Sequence, residues 1–517
     1  MEEYLLSIII FFPLLGAPLL LLIPDRYSRF SFWITLCILS VPLLLTFYAY
    51  SLYDPANPIR PFSSEHTDLM FMEIHSWIPQ FHIQYSLGMD GISLSLILLT
   101  SIVSISGLII ARNVKNHTGF FILYLTLYSG MMGVFLALDF FLFYVFWELM
   151  LFPMYFLIGI WGGERREYAA IKFFLFTLVG SIFMLLVLIL VYIYSDINPD
   201  PAVTERTLNL IYLTDPGVLT GPFLEGFSFM GPDSFRMAVW IFLFIAFAVK
   251  IPIFPLHSWL PDAHVEASTP ISVILAGILL KMGVYGILRI LLPILPDETV
   301  ILGPYFLALA GVINIIYGSF NAMAQNDLKR LVAFSSVAHM GFALVGISSL
   351  NSDGLNGAVF QMFSHGTISA MLFIIVGALY ERAHHRKIDG FGGLIHAMPR
   401  FSVMAGIAFF AGLAIPGLSS FVAEALCLIG SFSIYPYITI VAASGIVLSA
   451  AYFLPAFQKI FFGELPSGGE TIFPDIRISE FLALLPLAAL TIILGIYPSL
   501  LLDITGMSVL RLSMLFQ

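Results

Sequence analysis

The stretch VWIFLFIAFAVKIPIFPLHSWL, residues 239–260, is long and apolar enough to cross a bilayer, which takes roughly 20 such residues. Yet Lys250 stands in its middle and Pro252 follows two positions on. Proline has no backbone N–H and its ring collides with the preceding turn, so the helix is expected to break beside a buried ammonium. A charge and a break at membrane depth are both expensive, and they commonly mark the path of a transported ion. Three other apolar stretches carry a charge in the same way: Glu148 within residues 140–160, Lys281 within 271–292 and Glu424 within 403–429. Two acids and two bases in such settings point to a route for protons or small cations.

Working outward, the 517 residues are 59% hydrophobic and only 10% charged, with a mean hydropathy of +0.97. That leaves too little polar surface for a water-soluble globule. The expected fold class is all-α, a polytopic membrane protein with about 14 transmembrane helices, and almost no length remains for a soluble domain. Cys37 and Cys427 both fall in apolar segments, which excludes a disulfide framework or a thiolate metal site. Residues 1–23 are apolar but carry Glu2 and Glu3 and no small-residue cleavage site, so they read as a retained first helix. The net charge of −10 argues against a nucleic-acid partner.

If the spans alternate, the turns after the odd-numbered helices hold most of the 22 lysines and arginines, among them Arg26, Arg29, Arg112, Arg165, Lys329, Arg386 and Arg400. The opposite turns hold Arg60, Arg206, Arg236 and Arg511. The positive-inside rule then makes the basic side cytoplasmic and puts both termini outside. A multi-pass protein of the bacterial inner membrane fits best.

Residues 139–184 can be laid without a gap on 326–371, and Lys250-Ile251-Pro252 falls on Ala414-Ile415-Pro416. The expected organisation is N-terminal helices 1–3 (1–117), a first five-helix repeat of helices 4–8 (118–292), a second of helices 9–13 (293–462), and a C-terminal helix 14 (463–517). An odd number of helices per repeat inverts the second relative to the first, as in many transporters. Pro252 and Pro416 would make helices 7 and 12 discontinuous.

Glu148 and Lys250 can act as a switchable pair, because an opposite charge close to a buried lysine favours its protonated form. The bland alternative is a structural ion pair that fixes packing; a third charge, Lys281, favours transport. His339 and His365 fall between Lys281 and Glu424 in the proposed order, and imidazole both donates and accepts protons near neutral pH. Bis-histidine haem ligation is a rival supported by these two residues alone. Lys172 and Arg289, near helix ends, read as snorkelling to headgroups. The segment His257 to Glu266 has no usual metal-ligand spacing and reads as a turn lining a channel mouth at the cytoplasmic face. His384-His385-Arg386-Lys387 reads as a solvated loop. No nucleotide-binding glycine motif, P-loop or CxxC is present for redox or ATP chemistry.

The stretches Phe146-Trp147-Glu148-Leu149, Val249 to His264, Ile278-Leu279-Leu280-Lys281-Met282-Gly283 and Ser336-Val337-Ala338-His339-Met340-Gly341 closely resemble the antiporter-like subunits of respiratory complex I, over nearly the whole chain. Glu424, where most paralogues carry lysine, and an end at Gln517 without a lateral helix favour the M-type branch. Ala423 and Ala425 depart from that branch's usual glycine and bulky aromatic. The resemblance implies a proton-pumping membrane subunit of an NADH:quinone oxidoreductase. Glu148 would couple to the neighbouring subunit, Lys250 would switch, Lys281, His339 and His365 would relay, and Glu424 would release the proton outward. This chain would bind no cofactor or metal. Flavin, iron-sulfur clusters and quinone would reside in partner subunits, and L-type and N-type antiporter-like chains and lipids would surround it. A multi-subunit cation/proton antiporter, a membrane-bound hydrogenase subunit and an inert membrane scaffold are the competing readings.

Overall fold

The computed structural model describes residues 2–24, 30–53, 70–115, 117–198, 204–226, 230–464 and 473–516. Arg26, Arg29 and Arg60, used above to orient the chain, lie outside them. Among the described residues, 12 helices are long and apolar enough to cross a membrane, and Leu5–Leu21 and Ser419–Phe432 are shorter apolar helices. The protein is an all-α polytopic membrane protein.

Burial sorts the helices into two classes. The most apolar windows of Thr269–Ile294 and Ser352–Ala383 are 100% buried by the rest of the chain, against 39% for Arg166–Tyr194 and Pro436–Phe461. The outer helices present apolar side chains outward: Leu175, Val179, Ile182 and Leu186 form one exposed stripe at helical spacing. Hydrocarbon is the solvent that tolerates such a surface. The enclosed helices carry Lys281 and His365, and Leu328–Ser348, nearly as buried, carries His339. Their polar groups must therefore find partners inside the protein.

Short acids and amides start many of these helices. Asp139 accepts from the amides of Phe141 and Leu142, Asp327 from Lys329 and Arg330, and Asn351 from Gly354. Each satisfies donors that a helix N-terminus leaves free, worth about 1 kcal/mol. Helices 309–323 and 328–348 approach so closely that a Cβ on Gly311 would lie 2.8 Å from the Gly341 carbonyl, the small-residue contact usual between membrane helices.

Two elements differ from the sequence reading. Strands Met70–Ile78 and Ile83–Met89 form an antiparallel hairpin where no strand is expected. Its buried Glu73 accepts from the amides of Leu6 at 2.7 Å and Ser7 at 3.1 Å, and from the Ser7 hydroxyl, so the carboxylate caps the first helix. The residues after the last long span form a separate helix, Ser499–Met514, which packs along Gly91–Ile110 through the Gly91 amide and Ser508 Oγ, 3.0 Å apart.

Candidate functional site

Helix Pro232–Lys250 ends on Lys250, and the chain resumes as a helix only at Trp259–Glu266. Pro252 cannot donate to the Ala248 carbonyl, so the amide of Ile253 takes that acceptor instead at 3.0 Å. The Val249 carbonyl, thereby deprived of Ile253, accepts from the Trp259 indole at 2.9 Å. Asn314, fully buried on a neighbouring helix, closes the account: its Oδ1 accepts from the Phe254 amide at 2.8 Å and its Nδ2 donates to the Pro252 carbonyl at 3.3 Å. Three unrelated groups thus satisfy a break that a single proline opens.

Lys250 itself is 1% exposed, and its Nζ has no hydrogen-bond partner. The ammonium lies 5.1 Å from the ring centre of Trp147 and 5.9 Å from that of Phe173, in reach of the negative ring faces. Glu148, on the helix that carries Trp147, stays within electrostatic range but makes no hydrogen bond to Lys250, and its Oε1 is unpartnered. Ser181 faces the same carboxylate. The two charges are neighbours without being a closed ion pair.

Lys281 follows a π-helical turn, Leu275–Leu279. Such turns widen a helix and recur at functional positions. The fully buried ammonium donates to the Ala276 carbonyl and meets His365 Nδ1 at 2.8 Å. The His365 and His339 ring centres are 5.6 Å apart. His339 Nδ1 is 3.0 Å from Glu424 Oε1, which also accepts from Ser420 Oγ at 3.3 Å, while Glu424 Oε2 has no partner. Lys281, His365, His339 and Glu424 therefore stand in sequence as two bonded pairs facing each other across one short gap. Every member is at most 4% exposed.

The second break separates Pro399–Gly412 from Ser419–Phe432, with Pro416 between them and Glu424 just beyond. The Ile415 amide reaches back to the Phe410 carbonyl at 3.4 Å.

Three readings of single residues change. Lys172 does not reach for headgroups: it binds Asp262 at 2.7 Å, and Asp262 also binds Arg330 at 3.2 Å. Arg289 turns inward to Asp90 at 2.6 Å and is also held by Tyr285 Oη and Ser93 Oγ, because a guanidinium enclosed at that depth needs a counter-charge. The His257 to Glu266 segment is largely a half-helix with His264 fully buried, not a turn at the surface. Arg386 of the basic loop docks on that half-helix through the Val265 carbonyl at 2.7 Å. Asn314 and Trp259 were not singled out from the sequence; an amide inside an apolar helix was the available signal for Asn314. Among the described residues, no three His, Cys, Asp or Glu side chains gather as a metal site.

Residues 137–449 match the family model described as NADH:quinone oxidoreductase/Mrp antiporter, TM. NADH-quinone oxidoreductase subunit M of Rhodobacter capsulatus is 40% identical over 99% of this chain and 96% of its own length. A chain of respiratory complex I from Thermus thermophilus with bound NADH superposes with a TM-score of 0.84 at 28% identity, covering 99% of this chain and 100% of that one. A chain of the Mrp complex from Dietzia sp. DQ12-45-1b shares the fold, with a TM-score of 0.81 at 21% identity over 99% of this chain and 97% of its own. The family match across residues 137–449, with 40% identity to a subunit M along nearly the full length, means that the chain belongs to the NADH:quinone oxidoreductase/Mrp antiporter family of transmembrane subunits, on its subunit M branch.

Proposed function

We propose that this chain translocates protons as a membrane-arm subunit of an NADH:quinone oxidoreductase, driven by redox chemistry in partner chains that hold flavin, iron-sulfur clusters and quinone. The observation that carries the reading is the series Lys281, His365, His339 and Glu424, two hydrogen-bonded pairs enclosed at membrane depth. Lysine, histidine and glutamate side chains each bind and release a proton, and the series contains no oxygen cage sized for a metal cation.

Lys250 is the switch in this reading. Glu148 moving onto it supplies a counter-charge, and Glu148 moving away leaves the ammonium among Trp147 and Phe173. Loss or gain of a buried counter-charge moves a proton affinity by a few units, each about 1.4 kcal/mol. Moving one charge against 100 mV requires about 2.3 kcal/mol, so such a switch has the needed size. Glu148 takes its signal from one antiporter-like neighbour, and Glu424 passes the proton on outward. Residues 118–292 and 293–462 act as the two inverted units, each with its broken helix, in a bacterial inner membrane with both termini outside.

The test is to tag the chain, purify it in mild detergent and assay flavin and iron-sulfur absorbance with NADH:quinone activity. Co-purification together with proton uptake in vesicles supports the reading. Purification without those centres, with sodium or potassium exchange in vesicles, replaces it with a cation/proton antiporter.

A further inference from the structure

A cleft of about 670 Å³ opens on the face that carries Glu266, Lys329, His385 and Arg386. Lys329 lines it yet is only 6% exposed, and its Nζ donates to the Ala267 carbonyl at 2.5 Å. Glu266, Asp327 and Arg386 are the charges around it. Three residues before Ala267 stands His264, fully buried, its ring stacked on Phe373 with centres 4.3 Å apart. Neither ring nitrogen of His264 has a protein partner. Buried polar atoms are nearly always bonded, so an imidazole with both nitrogens unclaimed stands out. His264 also lies within electrostatic range of Lys329, Lys281 and His365. It is thus coupled both to the lysine of the cleft and to the enclosed Lys281–His365 pair.

We propose that Lys329 and His264 form the uptake route that loads Lys281 from the cleft, an inference that rests on the proton-translocating reading above. Because neither ring nitrogen touches a lysine, each transfer crosses an intervening water: the Lys329 ammonium protonates one ring nitrogen of His264, the other ring nitrogen gives its proton to the Lys281 amine, and the Lys329 amine is reloaded from water in the cleft. Each bridging water gains one proton as it loses another, so no oxidant or reductant is involved. The plain alternative is that His264 is a flat filler for the face of Phe373.

The experiment measures proton translocation by the whole enzyme in vesicles, at equal content of assembled complex, for H264A, K329M, K329R and K281M. H264A is expected to lose roughly tenfold or more of the rate and to regain part of it with added imidazole, which enters the space left by the ring. K329R keeps the charge, but guanidinium does not release a proton, so it is expected to be as impaired as K329M. Wild-type translocation by H264A, a loss that imidazole leaves unchanged, or full activity of K329R overturns the route. K281M separates the two levels: an inactive K281M beside a normal H264A removes only the uptake route, whereas a normal K281M removes the proton-translocating reading itself.

Discussion

Lys250 and Glu424 each sit beside a broken helix, and they are held in opposite ways. Lys250 is the last residue before the first break and has no hydrogen bond, only aromatic faces. Glu424 lies inside the half-helix after the second break, with one oxygen bound by His339 and Ser420. The breaks themselves differ too. Asn314 and Trp259 clamp the first, while among the described residues no side-chain hydrogen bond holds 413–418. The second instead rests against Gly495, where a side chain would run into its backbone. In the proposed mechanism this difference divides the labour: a charge without bonds would change protonation with nothing to break, and a bonded acid would pass a proton along.

The comparison can be broken most directly at Lys250. Lys250→Ala is expected to abolish proton translocation while the helices remain intact, and normal translocation in correctly assembled membranes would remove Lys250 from the mechanism. Glu424→Gln should lower translocation by roughly tenfold or more, because the amide neither takes nor releases the proton that His339 offers. If Glu424→Gln pumps normally while Lys250→Ala does not, the second half is structural. Asn314→Ala leaves the Phe254 amide and Pro252 carbonyl without their partner and should destabilise the first break by about 1–3 kcal/mol. Hydrogen exchange at the amides of Ile253 and Leu256 should quicken, with little change at Leu413 and Leu418; equal protection in both proteins would refute the clamp. The smallest effect is expected at Lys459–Asp389, an exposed pair at 2.8 Å. Hydrogen bonding to Lys459 holds the Asp389 carboxyl below its usual range, so the contact's contribution is fully present above that range and is lost as pH falls from it through the lowered value of the folded state. Lys459→Gln should leave translocation unchanged and lower thermal stability at neutral pH only slightly, and a large loss of either would give this surface pair a weight its exposure does not predict.

The placement of charges inside apolar stretches was readable in the chain because hydropathy and charge are local. Their partners were not. His339 and Glu424 are 85 positions apart and Lys281 and His365 are 84 apart, distances over which only packing decides who meets whom. Arg289 shows the same limit: near a helix end it suggested a headgroup contact, but folding brings Asp90 to it from nearly 200 positions away. The hairpin was hidden for another reason. Its strand Met70–Ile78 has a burial pattern without clean alternation, and its pull on the fold comes from Glu73 capping the first helix, a contact across 67 positions.

By itself the sequence determined that the protein lives in a bilayer and that helices interrupted at Pro252 and Pro416 carry buried charges, since hydrophobic length and the missing N–H of proline act within one or two turns. Only the tertiary structure decided that Lys250 stands unbonded beside Glu148, that Lys281 to Glu424 form a series, and that Asn314 frames the first break. Hydrogen bonds of about 3 Å demand a precision that arises only when helices distant in the chain pack together.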